Sequence, residues 1–313
     1  MESAAYATLF AAALLLSVST WLLGPTLLAA LRRARIQRQP FAPAWREILR
    51  RRMPAFAQLP ADVQWRLRKL AQVLIAEKPF IGCQGLVLTE EMRVLVAVQA
   101  ALLLLRPGAG YFPRLRQVLI YPGPFVVERE VGGAAGLVQQ QRLALSGESW
   151  QQGQVLLSWP DVLAGAADPR DGRNVVLHEF AHQLDQESGQ ANGAPWLGDS
   201  RRRRRWAEVL GAEFEALQQR LAAGQGGLID AYGASAPAEF FAVSSELFFE
   251  RSTEMALAHP DLYAEFSALT GLELWPSCPA RPWGPRRNSR RTLRKGQGAR
   301  MPFQWTVRRT VRC

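Results

Sequence analysis

Apolar residues dominate from Ala4 to Leu23, and no charged side chain occurs between Ser3 and Leu31. A helix over that run is long enough to cross a hydrocarbon layer. Four arginines follow at once: Arg32, Arg33, Arg35 and Arg38. By the positive-inside rule they predict that everything after them lies in the cytoplasm. A signal peptide would open with positive charge and close on a small-residue cleavage site, whereas this chain opens Met1-Glu2-Ser3. The pattern predicts a transmembrane anchor over residues 1–31, bent near Gly24-Pro25, in an inner or plasma membrane, with the main domain cytoplasmic.

Beyond the arginines the spacing changes. Residues 32–60 read as a basic, proline-punctuated linker with a short helix near Trp45–Arg51. Val63, Leu67, Leu70 and Val73/Leu74 recur at helical spacing and predict an amphipathic helix over Ala61–Lys78. Val94–Leu105 is too short to span a membrane, and Thr89-Glu90-Glu91 before it has the character of a cap with first-turn acids. It reads as a buried central helix. Strand-like stretches follow at Gly85–Leu88, Gln117–Tyr121, Phe125–Glu128 and Gln154–Trp159, bounded by Gly and Pro. From Asp171 the pattern is helical: Arg173–Glu187, Arg202–Ala223, Pro237–Arg251 and Asp261–Leu269. The prediction is α+β, a small mixed sheet followed by a mainly helical half, over residues 61–275.

The net charge of +11 suggests nucleic acid until it is located. Residues 276–313 hold 11 Lys+Arg and no acid, leaving 27 basic against 27 acidic residues in 1–275. The body is neutral, the basicity belongs to a tail expected to be disordered, and no direct nucleic-acid binding is expected. Cys83, Cys278 and Cys313 form no Cys-x-x-Cys pair, so neither a disulfide framework nor a thiolate zinc site is supported.

Of the three histidines, two stand in His178-Glu179-Phe180-Ala181-His182. Histidines four apart on a helix project from one face and can share a Zn²⁺ at about 2.0–2.1 Å. The glutamate between them points aside, where it can act as general base on a water whose pKa zinc lowers toward about 7. The metzincin third histidine is excluded, because Ser188 occupies its place, and His259 lies in a turn before Pro260. A downstream glutamate is the alternative. Glu239, Ala242, Val243 and Glu246 share one helical face, and spacing alone leaves Glu239 and Glu246 both open as the third ligand.

Several stretches together resemble the Mlc titration factor A family of zinc peptidases. They are Leu119-Ile120-Tyr121-Pro122, Pro124-Phe125-Val126-Val127, Ser146-Gly147-Glu148-Ser149-Trp150, His178 to Asp185, Ile229-Asp230-Ala231-Tyr232, and Pro237 to Val243. The similarity runs from about Phe41 to Asp261. It implies a zincin-like metallopeptidase fold related to the anthrax lethal factor protease domain. By motif it implies His178, His182 and Glu239 as zinc ligands, Glu179 as general base and Tyr232 as the residue that stabilises the oxyanion. It also implies aminopeptidase-like activity on a peptide or protein substrate.

Three functions are weighed. The first is a zinc-dependent peptidase acting in the cytoplasm at the membrane, its substrate aligned by edge pairing on Gln154–Trp159. The second is a regulatory binding protein that sequesters a transcriptional repressor, as the family name implies; the intact Glu179 favours the enzyme, since a structural site needs no base. The third, suggested only by the anchor, is a quality-control protease for membrane proteins.

Overall fold

The Thr89 hydroxyl accepts the N–H of Met92 at 3.3 Å and starts α4 (Glu90–Leu102), which is buried from Val94 to Ala101. This helix is the axis of the fold. Against it lies α3 (Ala61–Glu77), which turns Val63, Leu67, Ala71 and Leu74 inward at the expected spacing. The computed structural model describes residues 2–106, 108–132, 138–145, 147–150 and 153–274. The basic tail lies outside the described residues.

A four-stranded sheet runs in the order β1-β2-β6-β5. β1 (Phe80–Gly82), β2 (Gln117–Tyr121) and β6 (Gln154–Ser158) are parallel, with Val118 opposite both Phe80 and Val155. β5 (Gly147–Trp150) pairs antiparallel with β6 and forms an edge. β3 (Phe125–Gly132) and β4 (Val138–Leu145) form a separate antiparallel pair. The strand expected at Gly85–Leu88 is instead a turn, with positive φ at Gln84 and Gly85. The true strand lies just upstream, where a Cβ on Gly82 would collide with the Leu86 carbonyl. That close approach requires glycine.

Further helices complete the fold: α2 (Pro43–Arg52) before α3, then α5 (Trp159–Ala167), α6 (Val175–Asp185), α7 (Ser200–Ala222), α8 (Pro237–Glu250), α9 (Ser252–Ala258) and α10 (Pro260–Thr270). Trp206 of α7, Phe241 of α8 and Phe266 of α10 meet ring to ring, with centroids 5.4–5.8 Å apart. Residues 41–59, read from sequence as linker, bring Phe41, Ile48, Leu49, Met53, Phe56 and Leu59 into the core. The fold is thus mixed α/β and mostly helical, with helices before the sheet as well as after it.

The expected transmembrane helix needs correction. α1 (Glu2–Arg38) is one helix of 37 residues, and among the described residues no helix is long and apolar enough to cross a membrane. The helix continues unbroken through the arginines. Its final turns dock on the domain: Arg33 grips Glu77 with two parallel bonds of 2.9 Å, and Gln37 donates to the Tyr111 hydroxyl at 2.8 Å. The arginine cluster that suggested a membrane flank is therefore partly a docking element. Membrane anchoring, and the location inferred from it, are not supported.

Candidate metal centre

Asn174 caps α6 by accepting the Leu177 N–H at 3.0 Å. Val176, Leu177, Phe180, Ala181 and Leu184 bury the rest of the helix, which leaves His178 and His182 one turn apart on the same face. Their rings lie 5.0 Å apart at 79°. α8 packs beside α6 and opens with Pro237 at a first-turn position, where proline's missing N–H costs nothing. Its first turn delivers Glu239. Glu239 Oε2 lies 3.0 Å from His178 Nε2 and 3.3 Å from His182 Nε2. Ligand atoms of these three residues all fall within 4.8 Å of one another.

Glu246, two turns further along α8, reaches the other side of His178. Its Oε1 accepts from His178 Nδ1 at 2.7 Å, and its Oε2 accepts the backbone N–H of Asn174. A proton on Nδ1 leaves Nε2 directed at the cluster. The two glutamates that spacing could not separate thus face different nitrogens of one imidazole.

The charges in this group are strongly coupled. Burial opposes a charged His178, but hydrogen bonds to Glu239 and Glu246 outweigh it and hold its pKa well above the usual range. Burial likewise opposes the Glu239 carboxylate, yet the two histidines keep its pKa far below normal. Glu179 is 5% exposed, and its Oε2 has no hydrogen-bond partner. Burial pushes its pKa up to about 7. Two imidazoles and a carboxylate are a donor set that fits zinc, and a buried carboxylate oxygen without a partner beside them is costly unless it serves chemistry.

His178 and Glu179 line a cleft of about 530 Å³, together with Asp161, Tyr232, Val243 and Glu246. Asp230 caps the short 3₁₀ turn Ala231–Ala234 by accepting the Tyr232 N–H at 2.9 Å. The Tyr232 ring lies 5.9 Å from that of His178 and is 53% exposed, so the side chain faces the cleft rather than the core. His259 stands elsewhere, buried with Nδ1 2.8 Å from Glu213. Ser188, in the metzincin ligand's place, donates to the Asp185 carbonyl at 3.0 Å.

Sequence reasoning missed three supporting residues. Glu250 accepts from Asn174 Nδ2 at 3.1 Å and Gly172 N at 3.0 Å, and burial pushes its pKa up to about 8. Its position one turn after Glu246 was the available signal. Asp185 accepts from Gly193 N at 2.7 Å and Ala194 N at 2.9 Å, tying the loop after α6 to that helix. Asn174 is the third, and an Asn immediately before an apolar helical run is a cap signal.

The family described as glucose-regulated metallo-peptidase M90 matches residues 28–269, a span that holds the whole cluster. The chain belongs to this family. Among similar proteins is an uncharacterised protein of Synechocystis, 38% identical over 233 residues, 74% of this chain and 85% of the relative. Mlc titration factor A of Enterobacter is 38% identical over 227 residues, covering 71% and 83% of the two chains. Mlc titration factor A of Yersinia pestis is 37% identical over 227 residues, covering 71% and 82%. The M90 assignment makes this a metallopeptidase-like protein, with His178, His182 and Glu239 as a group able to hold a metal.

Proposed function

We propose that the chain is a zinc-dependent peptidase that hydrolyses peptide bonds with His178, His182 and Glu239 as ligands and Glu179 as general base. The observation that carries this reading is the buried Glu179 carboxylate, which lines the cleft beside the ligand group with its Oε2 lacking a hydrogen-bond partner. When bound, the metal supplies Lewis-acid polarisation of a carbonyl and acidifies water. Glu179 takes the proton of the attacking water and returns it to the leaving amine. The phenol of Tyr232, which lines the cleft, donates to the oxygen on which negative charge develops.

The substrate lies extended along the sheet edge. β6, the strand expected to align it, is paired on both sides, by β2 and β5. Edge pairing therefore falls to β5, which packs against α6. Asp161, whose Oδ2 has no hydrogen-bond partner, lines the same cleft and favours an aminopeptidase-like form of the reaction by offering a carboxylate to a substrate ammonium.

A second reading, regulatory binding of a transcriptional repressor, is favoured by the name Mlc titration factor A carried by relatives. It makes no demand on Glu179. One experiment addresses both: profile the purified protein against a peptide library with and without chelator, beside Glu179→Gln. Chelator-sensitive cleavage that disappears in the variant supports the peptidase. Absence of cleavage by zinc-loaded wild-type protein sinks it.

A further inference from the structure

Asn174 is 4% exposed and meets three elements at once. Its Nδ2 faces Gln99 Oε1 of α4 at 2.9 Å, Gly165 O of α5 at 3.2 Å and Glu250 Oε1 of α8 at 3.1 Å. An amide NH₂ carries two hydrogens, so three acceptors saturate it, and no oxygen could stand in its place without repulsion. The fit on the α5 side is close: a Cβ on Gly165 would lie 3.0 Å from both Cγ and Nδ2 of Asn174. Glycine there lets the α5 carbonyl reach the amide.

From this fixed point two bonds lead to the cluster. Asn174 Oδ1 caps α6, the helix that carries both histidines. Its backbone N–H holds Glu246 Oε2, while Glu246 Oε1 holds His178 Nδ1 at 2.7 Å. We infer that Asn174 is a positioning residue of the metal centre, one that sets α6 and, through Glu246, the rotation of the His178 ring. The inference rests on the zinc reading above and deepens it. A helix cap alone needs only the side-chain oxygen, and Asp or Ser caps about as well as Asn. The three contacts of Nδ2 are what exceed a cap.

The test uses the full chain and reads zinc affinity by competition with a chromophoric chelator, alongside kcat and KM. Asn174→Ser and Asn174→Asp keep a capping oxygen and remove the Nδ2 donor. Zinc should bind about 10–100-fold more weakly in both, the scale of losses from outer-shell changes, and kcat should fall with KM little changed. Gly165→Ala should weaken zinc in the same direction by a smaller factor. In the Asn174→Asp, Glu250→Gln double variant the new amide can donate to the new carboxylate while its oxygen keeps the Gly172 N–H. Zinc binding should recover several-fold over Asn174→Asp. Should Asn174→Asp fail to fold, Asn174→Ser and Gly165→Ala decide. Wild-type zinc affinity in Asn174→Ser, whatever its melting temperature, overturns the inference and leaves the zinc reading standing. Wild-type protein that binds no zinc overturns the zinc reading, and this inference falls with it.

Discussion

Glu246 accepts from His178 Nδ1 at 2.7 Å, which sets this carboxylate on the side of the ring opposite to Glu239. Only Glu239 reaches the Nε2 atoms of both histidines. Glu239→Ala should therefore abolish stoichiometric zinc, whereas Glu246→Ala should retain it with about 10–100-fold weaker affinity. Elemental analysis after dialysis against graded chelator measures both. The reverse ranking would move the third ligand to Glu246.

Removing the base should leave the ligands intact. Glu179→Gln is expected to hold zinc as wild type does and to lose about 10²–10⁴-fold in kcat, because an amide cannot take the proton. Near-wild-type turnover in that variant would refute the mechanism.

Tyr232 lines the cleft with about half of its surface in solvent. Tyr232→Phe should keep the melting temperature and zinc content while kcat drops about 10²-fold, the scale for losing one oxyanion donor. Unchanged kcat would return Tyr232 to the role of a cleft-lining ring.

Glu250 gives a pH signature of its own. Burial raises its pKa from 4.5 to about 8, and Asp171 and Glu246 add like charge. The folded state then binds more protons than the unfolded state between those values, so stability falls as pH rises from about 4.5 to about 8. In metal-free protein, the denaturant midpoint should decline across that window, and Glu250→Gln should flatten the slope. An unchanged slope in the variant would assign the pH dependence elsewhere.

Gly193 has φ +78°, and a Cβ there would lie 2.5 Å from the Pro237 carbonyl oxygen. Gly193→Ala should cost about 1–3 kcal/mol through backbone strain. It should also loosen the Gly193–Asp185 bond beside the cluster. Urea unfolding measures the loss; a midpoint equal to wild type would mean that the loop shifts freely.

The residues that meet at the cluster were legible because their chemistry is periodic: His178 and His182 must share a face wherever that segment is helical. The α3 and α4 helices were legible for the same reason. The separation of Glu239 from Glu246 was not, because it depends on how α8 approaches α6. Asn174, Glu250 and Asp185 act through contacts with residues from 8 to 78 positions away, which no local pattern encodes. The short strand β1 escaped notice because three residues carry too little alternation. The N-terminal segment misled for another reason: hydropathy and arginine clustering were read without the Arg33–Glu77 and Gln37–Tyr111 contacts that dock its end.

His182 and Glu239 are separated in the chain by the whole of α7. A zinc ion held by both would act as a staple across that segment, and the chain could not unravel there without releasing it. Folding stability would then depend on free zinc, rising by about 2.7 kcal/mol when zinc exceeds its dissociation constant a hundredfold. Zinc starvation would withdraw that support and leave the chain itself more open to degradation, so the ion that arms the site would also set how long the protein lasts.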